Sequence, residues 1–250
     1  VTLTDSLGNS TTSPIWSFST AGNTAPVASN HVLTVLGDAP TNLALTASDI
    51  NGDPLTYRTN SLPQHGLNSN FNPAAGTLTF SPIRGYRGSD RFTYSASDGY
   101  ATSSVVTMNL TIIAPADTNA NGLPDAWESA YGVTDPNGDN DNDGRSNLDE
   151  YSAGTNPTNA VSVLQISGAT VAANGHVTLS WASVGGVRYR IQYSNGNIQG
   201  PYLDIIRPLG LEMDPASYNT ASSRVFVDDF SLTGGPPVAA SRYYRIKVVQ

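Results

Sequence analysis

Two stretches of this chain carry oxygen-bearing side chains at a spacing that suits a hard cation. One is Asp117, Asn119, Asn121, Gly122, Leu123, Asp125 and Glu128; the other is Asp139, Asp141, Asp143, Gly144, Arg145, Asn147 and Glu150. Both fit the calcium loop D-x-[DN]-x-[DN]-G-x5-E. Such an ion takes roughly six to eight oxygens, so side chains at loop positions 1, 3 and 5 must fold inward while position 7, here Leu123 or Arg145, gives its backbone carbonyl. Asp125 and Asn147 at position 9 act directly or through water. Glu128 and Glu150 at position 12 can bind bidentately, which favours calcium over octahedral magnesium. The expectation is two calcium ions.

A single match could be chance, but two offset by 22 residues form an internal repeat. Each loop runs into a short helical pattern, Pro124–Tyr131 and Ser146–Ala153, and Gly132 and Gly154 stand where helix C-caps belong. Neither loop has an entering helix, since Pro115 precedes the first and Asp135-Pro136-Asn137-Gly138 the second. Segments this short do not hold a helix alone. Metal binding is therefore expected to supply part of their folding energy.

Charge points to the same place. The 250 residues carry a formal charge of −8 with only 13% charged residues. Between Asp117 and Glu150 nine acids face one base, Arg145, a local charge of −8; the other acids and bases balance at eleven each. An acidic chain without a basic patch has no electrostatic footprint for nucleic acid or an anionic membrane. The absence of cysteine excludes disulfides, thiol chemistry and cysteine–zinc sites. No apolar run approaches the ~18 residues of a membrane span, and the first residues lack the pattern of a signal peptide. The sequence reads as a mature or excised segment of something soluble.

Other chemistry-bearing residues have plainer readings. His31, His65 and His176 are isolated, with no nucleophile or metalloprotease motif around them. Asp228-Asp229 has no identifiable partner acid across a cleft and reads as a turn after a strand. Asp49, Asn51 and Asp53 read as a turn rather than a third calcium site. Trp181, Tyr189, Tyr193, Tyr243 and Tyr244 fall at core positions rather than on a sugar-binding platform. Lys247, the one lysine, is a poor candidate for an isopeptide crosslink. No catalytic residue is expected, and the chain reads as a non-enzyme.

The elements around the loops read as β structure. Short runs rich in Val, Thr, Ile, Leu and Tyr recur between Gly, Pro, Asn and Asp. They are Val32–Val35, Leu43–Ala47, Leu55–Thr59, Thr77–Phe80, Arg91–Ala96 and Ser104–Ile113, then Val163–Ile166, His176–Trp181, Arg188–Tyr193, Arg224–Val227 and Tyr243–Val249. The long Gly196–Ser223 stretch shows only fragments of strand pattern. The expected fold class is mainly β: two β-sandwich, immunoglobulin-like domains joined by a small calcium-binding loop–helix repeat pair. The divisions are 1–22, 23–115, 116–160 and 161–250.

The pieces also carry resemblances. The series Leu45-Thr46-Ala47-Ser48-Asp49, Gly52-Asp53-Pro54-Leu55-Thr56-Tyr57, Gly85-Tyr86-Arg87-Gly88-Ser89-Asp90, Phe92-Thr93-Tyr94 and Asp98-Gly99 resembles cadherin-like or immunoglobulin-like repeats of bacterial surface proteins. The loop–helix pair, with Thr134-Asp135-Pro136 and Thr155-Asn156-Pro157 behind its helices, resembles thrombospondin type 3-like repeats and is similar also to dockerins. Thr178–Trp181, Tyr189–Ser194 and Arg242–Ile246 resemble strands of a fibronectin type III-like domain. Asp5, Gly8, Asn9, Trp16, Phe18 and Thr20 resemble the final hairpin of an immunoglobulin-like domain: Val1–Thr4 and Ile15–Thr20 would pair, as the end of an upstream domain or as strands donated to a neighbour.

These resemblances imply a non-catalytic extracellular structural or adhesive module, a calcium-rigidified stalk or a surface-fibre subunit. Its partners would be other domains of the parent chain or identical subunits, with a surface glycan or protein as ligand. The alternatives are an accessory region of a secreted hydrolase and a dockerin-type docking module.

Overall fold

The structure, a computed structural model, describes residues 2–12, 22–207, 212–237 and 241–250. It is mainly β, as expected, with two short helices between two sandwiches. At the start, β1 (Thr2–Thr4) pairs antiparallel with β2 (Ser10–Thr12). The turn closes early because Asp5 Oδ1 accepts from the amides of Leu7 and Asn9. β1 therefore pairs with Ser10–Thr12; the expected strand Ile15–Thr20, with Trp16 and Phe18, lies outside the described residues.

The first sandwich contains β3 (Val27–Ala28), β4 (His31–Leu36), β5 (Thr41–Ala44), β6 (Ala47–Ser48), β7 (Thr56–Thr59), β8 (Gly66–Asn72), β9 (Thr77–Pro82), β10 (Gly88–Ser97) and β11 (Val106–Ile113). One sheet runs β4-β11-β10-β7, the facing sheet runs β5-β9-β8, and β3-β6 forms a ribbon. The period-2 pattern decides which side chains face inward: Val106, Met108, Leu110 and Ile112 of β11 are buried while their neighbours are not. They meet Phe80, Phe92 and Tyr94, each fully buried. The Tyr94 hydroxyl is satisfied by donating to the Ser29 carbonyl at 2.6 Å. Strand β8 has no counterpart among the expected strands, because GLNSNFN lacks apolar alternation and is broken by a bulge between Ser69 and Asn72. Leu43–Ala47 is split between β5 and β6.

After α1 (Asp125–Tyr131) and α2 (Asn147–Ala153) comes the second sandwich: β12 (Ile166–Val171), β13 (Val177–Val184), β14 (Tyr189–Asn195), β15 (Leu203–Ile205), β16 (Ala221–Asp228) and β17 (Arg242–Val248). Its sheets are β12-β13-β16 and β15-β14-β17. The expected Val163–Ile166 strand begins only at Ile166, and the described residues of Gly196–Ser223 include β15 and the start of β16. Trp181, Leu179, Tyr189, Ile191 and Ile205 form the core. Each large apolar side chain buried there is worth about 1.5–3 kcal/mol. Among the described residues no helix is long and apolar enough to cross a membrane.

Candidate metal centre

The two loops fold alike. In the first, Asp117 Oδ1 and Asn119 Oδ1 both accept from the Asn121 amide at 3.1 Å, Asp117 Oδ2 accepts from Gly122, and Asn121 Oδ1 accepts from Leu123. In the second, Asp139 Oδ1 and Asp141 Oδ1 accept from the Asp143 amide at 3.2 Å, Asp139 Oδ2 accepts from Gly144, and Asp143 Oδ1 accepts from Arg145. Position 4 is left-handed in both, at Ala120 and Asn142, and so is the glycine at position 6, with φ of 91° at Gly122 and 89° at Gly144. A β-carbon there would be strained, which explains the glycine. Each loop then enters its helix, and Gly132 and Gly154 close α1 and α2 as left-handed caps.

Inside the loops the two differ. Asp139, Asp141 and Asp143 bring ligand oxygens within 4.8 Å of one another. Asp141 Oδ2, Asp143 Oδ2, Asn147 Oδ1 and Glu150 Oε2 are all buried with no hydrogen-bond partner. Glu150 is 1% exposed and Asn147 0%. Buried oxygens without donors are costly, and three of these four belong to carboxyl groups. The Glu150 carboxyl is pushed up to about 7, by burial first and then by the charges of Asp141 and Asp143. The complement of such a cage is a cation.

In the first loop the same interior is filled by amide hydrogens. Asn119 Nδ2 donates to Glu128 Oε1 at 3.0 Å, and Asn121 Nδ2 donates to the same oxygen at 2.7 Å and to the Thr134 carbonyl at 2.8 Å. Asp125 is engaged by Thr118, through its hydroxyl at 2.6 Å and its amide at 2.7 Å, and these bonds hold its carboxyl below the usual carboxylate range. No side-chain atom of this loop is among the buried partnerless polar atoms of the described residues. Leu123, at position 7, also packs with Val133 and Tyr151 in a small core of its own, against Trp127 and Tyr131.

That small core connects the two acidic loops to both sandwiches. Tyr151 follows Glu150 directly, and its hydroxyl donates to Asp38, just after β4. Asp38 also accepts from the Gly85 amide at 2.8 Å and from Arg87. Burial opposes the charge on Asp38, but the bonds from Arg87 and Tyr151 prevail and hold its carboxyl below the usual range. Next to it, the Arg84 guanidinium lies 5.5 Å from the Tyr151 ring and 5.4 Å from the Tyr218 ring and donates to Asn219. The Arg84 amide donates to the Gly186 carbonyl at 3.0 Å. The Ile83–Arg87 turn of the first sandwich is thereby wedged between α2 and the second sandwich. Sequence reasoning missed this joint; Tyr151 and Asp38 are 113 residues apart and neither belongs to a motif.

Elsewhere, Asp49 Oδ1 accepts from the amides of Asn51 and Asp53, forming a turn, while Asp49 Oδ2 is buried without a hydrogen-bond partner. His31 bonds Thr46, His65 stacks on Tyr86, and His176 meets the edge of Phe230. Asp228 is 1% exposed and accepts from Arg242, Tyr244 and Thr233, which makes it part of the second sandwich's interior; Asp229 bonds Ser231. Trp181, Tyr189 and Tyr193 are buried in the core. Lys247 pairs across strands with Arg190.

Fold and site together define an immunoglobulin-like β protein with an acidic loop–helix joint. Residues 23–111, a range that falls on the first sandwich, match the model of the bacterial Ig domain family. No curated protein matches the chain. Among solved structures, the chain is similar to an endo-fucoidan hydrolase of glycoside hydrolase family 107, MfFcnA4, at 26% identity over 40% of this chain and 15% of that one, with a TM-score of 0.31. It is also similar to human protocadherin-24 EC1-2, at 14% identity over 82% of this chain and 97% of that one, with a TM-score of 0.33. The chain thus spans 15% of the length of the hydrolase. At TM-scores this low neither likeness bears on function.

Proposed function

We propose that the chain is a non-catalytic structural segment of an extracellular protein, in which calcium bound by Asp139–Glu150 stiffens the joint between two sandwiches. The observation that carries this reading is the set of four buried, partnerless oxygens on Asp141, Asp143, Asn147 and Glu150. The carboxylates of Asp139, Asp141, Asp143 and Glu150, the Asn147 amide oxygen and the Arg145 carbonyl are the donor set, all oxygen, as a hard cation of calcium's size requires. Calcium would supply charge neutralisation only. The protein's part is to hold α2 and, through Tyr151, to fix Asp38 and Arg84 against the second sandwich.

An extracellular setting suits this reading, because extracellular calcium modules work at affinities of about 10⁻⁴–10⁻³ M, where the ion is always at hand. We read residues 116–160 as a thrombospondin type 3-like unit and 161–250 as a fibronectin type III-like sandwich. The partners implied are neighbouring domains of a longer chain or identical subunits. The β1–β2 hairpin, with Leu3 and Leu7 largely exposed, supports a contact of this kind at that end.

Hydrogen exchange on the 250-residue chain, in calcium and in excess EGTA, tests the reading. Protection of the amides from Asp139 to Gly154 should fall on chelation, and small-angle scattering should report a broader spread of inter-sandwich distances. Unchanged protection would refute it.

A further inference from the structure

We infer that the joint takes one calcium ion rather than two: Asp117–Glu128 is a copy of the calcium loop in which carboxamide hydrogens of Asn119 and Asn121 stand where the cation would. The inference rests on the calcium reading of Asp139–Glu150 and departs from what the repeat pattern implies for its partner.

The backbone fixes the orientation of both amides. Asn119 Oδ1 is the acceptor for the Asn121 N–H, and Asn121 Oδ1 for the Leu123 N–H. Turning either amide over would set its N–H₂ against a backbone N–H. Turning Asn121 would also replace its Nδ2 bond to the Thr134 carbonyl with an oxygen–oxygen contact. With the oxygens committed to the backbone, the Nδ2 groups point inward, and Glu128 Oε1 takes a hydrogen from each. One oxygen of the position-12 carboxylate that should grip a cation is thus already taken twice, and the other is not among the buried partnerless atoms of the described residues.

Charge makes the same distinction. Asp139–Glu150 presents carboxylates at positions 1, 3, 5 and 12, whereas Asp117–Glu128 presents them at 1, 9 and 12. The one at position 9, Asp125, is tied on both oxygens to Thr118. An ion at Asp117–Glu128 would have to displace internal hydrogen bonds; at Asp139–Glu150 it would supply partners that buried oxygens lack. The first loop is then a metal-independent brace that keeps α1 folded against the small core of Leu123, Val133 and Tyr151, while the second responds to calcium.

Native mass spectrometry and calorimetric calcium titration of the 250-residue chain, stripped of metal, count the ions. The expected result is one ion, retained in Glu128→Gln and lost in Glu150→Gln. A variant carrying Asn119→Asp and Asn121→Asp, which restores acceptors at positions 3 and 5, should gain a second. Two ions in the unmodified chain, with one lost in Glu128→Gln, would overturn the inference and leave the Asp139–Glu150 site standing. No ion at all would overturn both. Should Glu150→Gln fail to fold, hydrogen exchange of the unmodified chain decides: EGTA should deprotect Asp139–Gly154 and spare Asp117–Gly132, and loss of protection in both would overturn the inference.

Discussion

The bond between Tyr151 and Asp38 should contribute a measurable coupling between the loop–helix joint and the first sandwich. Tyr151→Phe removes only the hydroxyl; the ring stays packed with Leu123 and Val133, with its edge contact to Trp127 at 5.7 Å. Asp38 keeps its bonds from Gly85 and Arg87, so the carboxylate is not orphaned. A hydrogen bond to a charged group is worth about 1.5–3 kcal/mol, and with two other donors remaining the lower half of that range applies, about 1.5–2 kcal/mol. Asp38→Asn weakens the same bond from the other side and costs more by itself, because Arg87 loses its counter-charge.

If the two groups act on one another, the double variant should lose about 1–1.5 kcal/mol less than the sum of the singles. The assay is denaturant unfolding in saturating calcium, followed by exchange of the amides of α2 so that the joint is read apart from the sandwiches. Losses that add to within about 0.3–0.5 kcal/mol would show that the contact carries no coupling, and the proposed route from loop to sandwich would fall.

Other consequences concern the second sandwich and the response to calcium. Gly186 has φ +86° and a β-carbon there would lie 2.2 Å from the Tyr218 ring, so Gly186→Ala should destabilise by about 2–3 kcal/mol; an unchanged melting temperature would contradict the placement. Arg242, paired with Asp228 at 2.8 Å with side chains 3% and 1% exposed, should cost about 3–5 kcal/mol on replacement by Ala, read in urea unfolding, because Asp228 would stay buried without its cation. Burial opposes ionisation of Glu212, but its bonds to Arg190 and Arg188 prevail and hold its carboxyl below the usual value. A depressed carboxylate stabilises the fold above its unfolded pKa, near 4.5, and that stability is lost as pH falls through the lower folded value. Glu212→Gln should therefore flatten the acid limb of the stability curve, and an unaltered limb would argue against the pairing. In calcium at about a hundred times Kd, the joint should gain about 2.7 kcal/mol over the chelated form, and that increment should vanish in Glu150→Gln.

How far the sequence reached depends on how local each feature is. Apolar alternation in Val106–Ile113 marks a strand because every second side chain meets the same core, and the structure buries those four. Gly66–Asn72 escapes because it is an edge strand paired only with β9, and of its side chains only Phe71 packs against the core. The turn after β1 is local chemistry, with Asp5 Oδ1 accepting from the amides of Leu7 and Asn9, and the residue types of Asp5 and Gly8-Asn9 signal it. That Asp117–Glu128 and Asp139–Glu150 fold as two like loops was legible, since the pattern is a statement about spacing.

What spacing cannot express is direction. The pattern treats Asp and Asn at positions 3 and 5 as equivalent, because both carry an oxygen that can face an ion. In this fold the backbone N–H two residues on claims one terminal atom of each side chain, and only the other faces inward. For an Asp the remaining atom is a second oxygen, as in Asp141 and Asp143, and the loop interior becomes an anionic cage. For an Asn the remaining atom is a donor, as in Asn119 and Asn121, and the interior closes on Glu128 without help. On the calcium reading proposed above, one chemical difference at two positions separates a loop that would need a cation from one that would not. The same joint would then stay folded at one end while calcium governed the other.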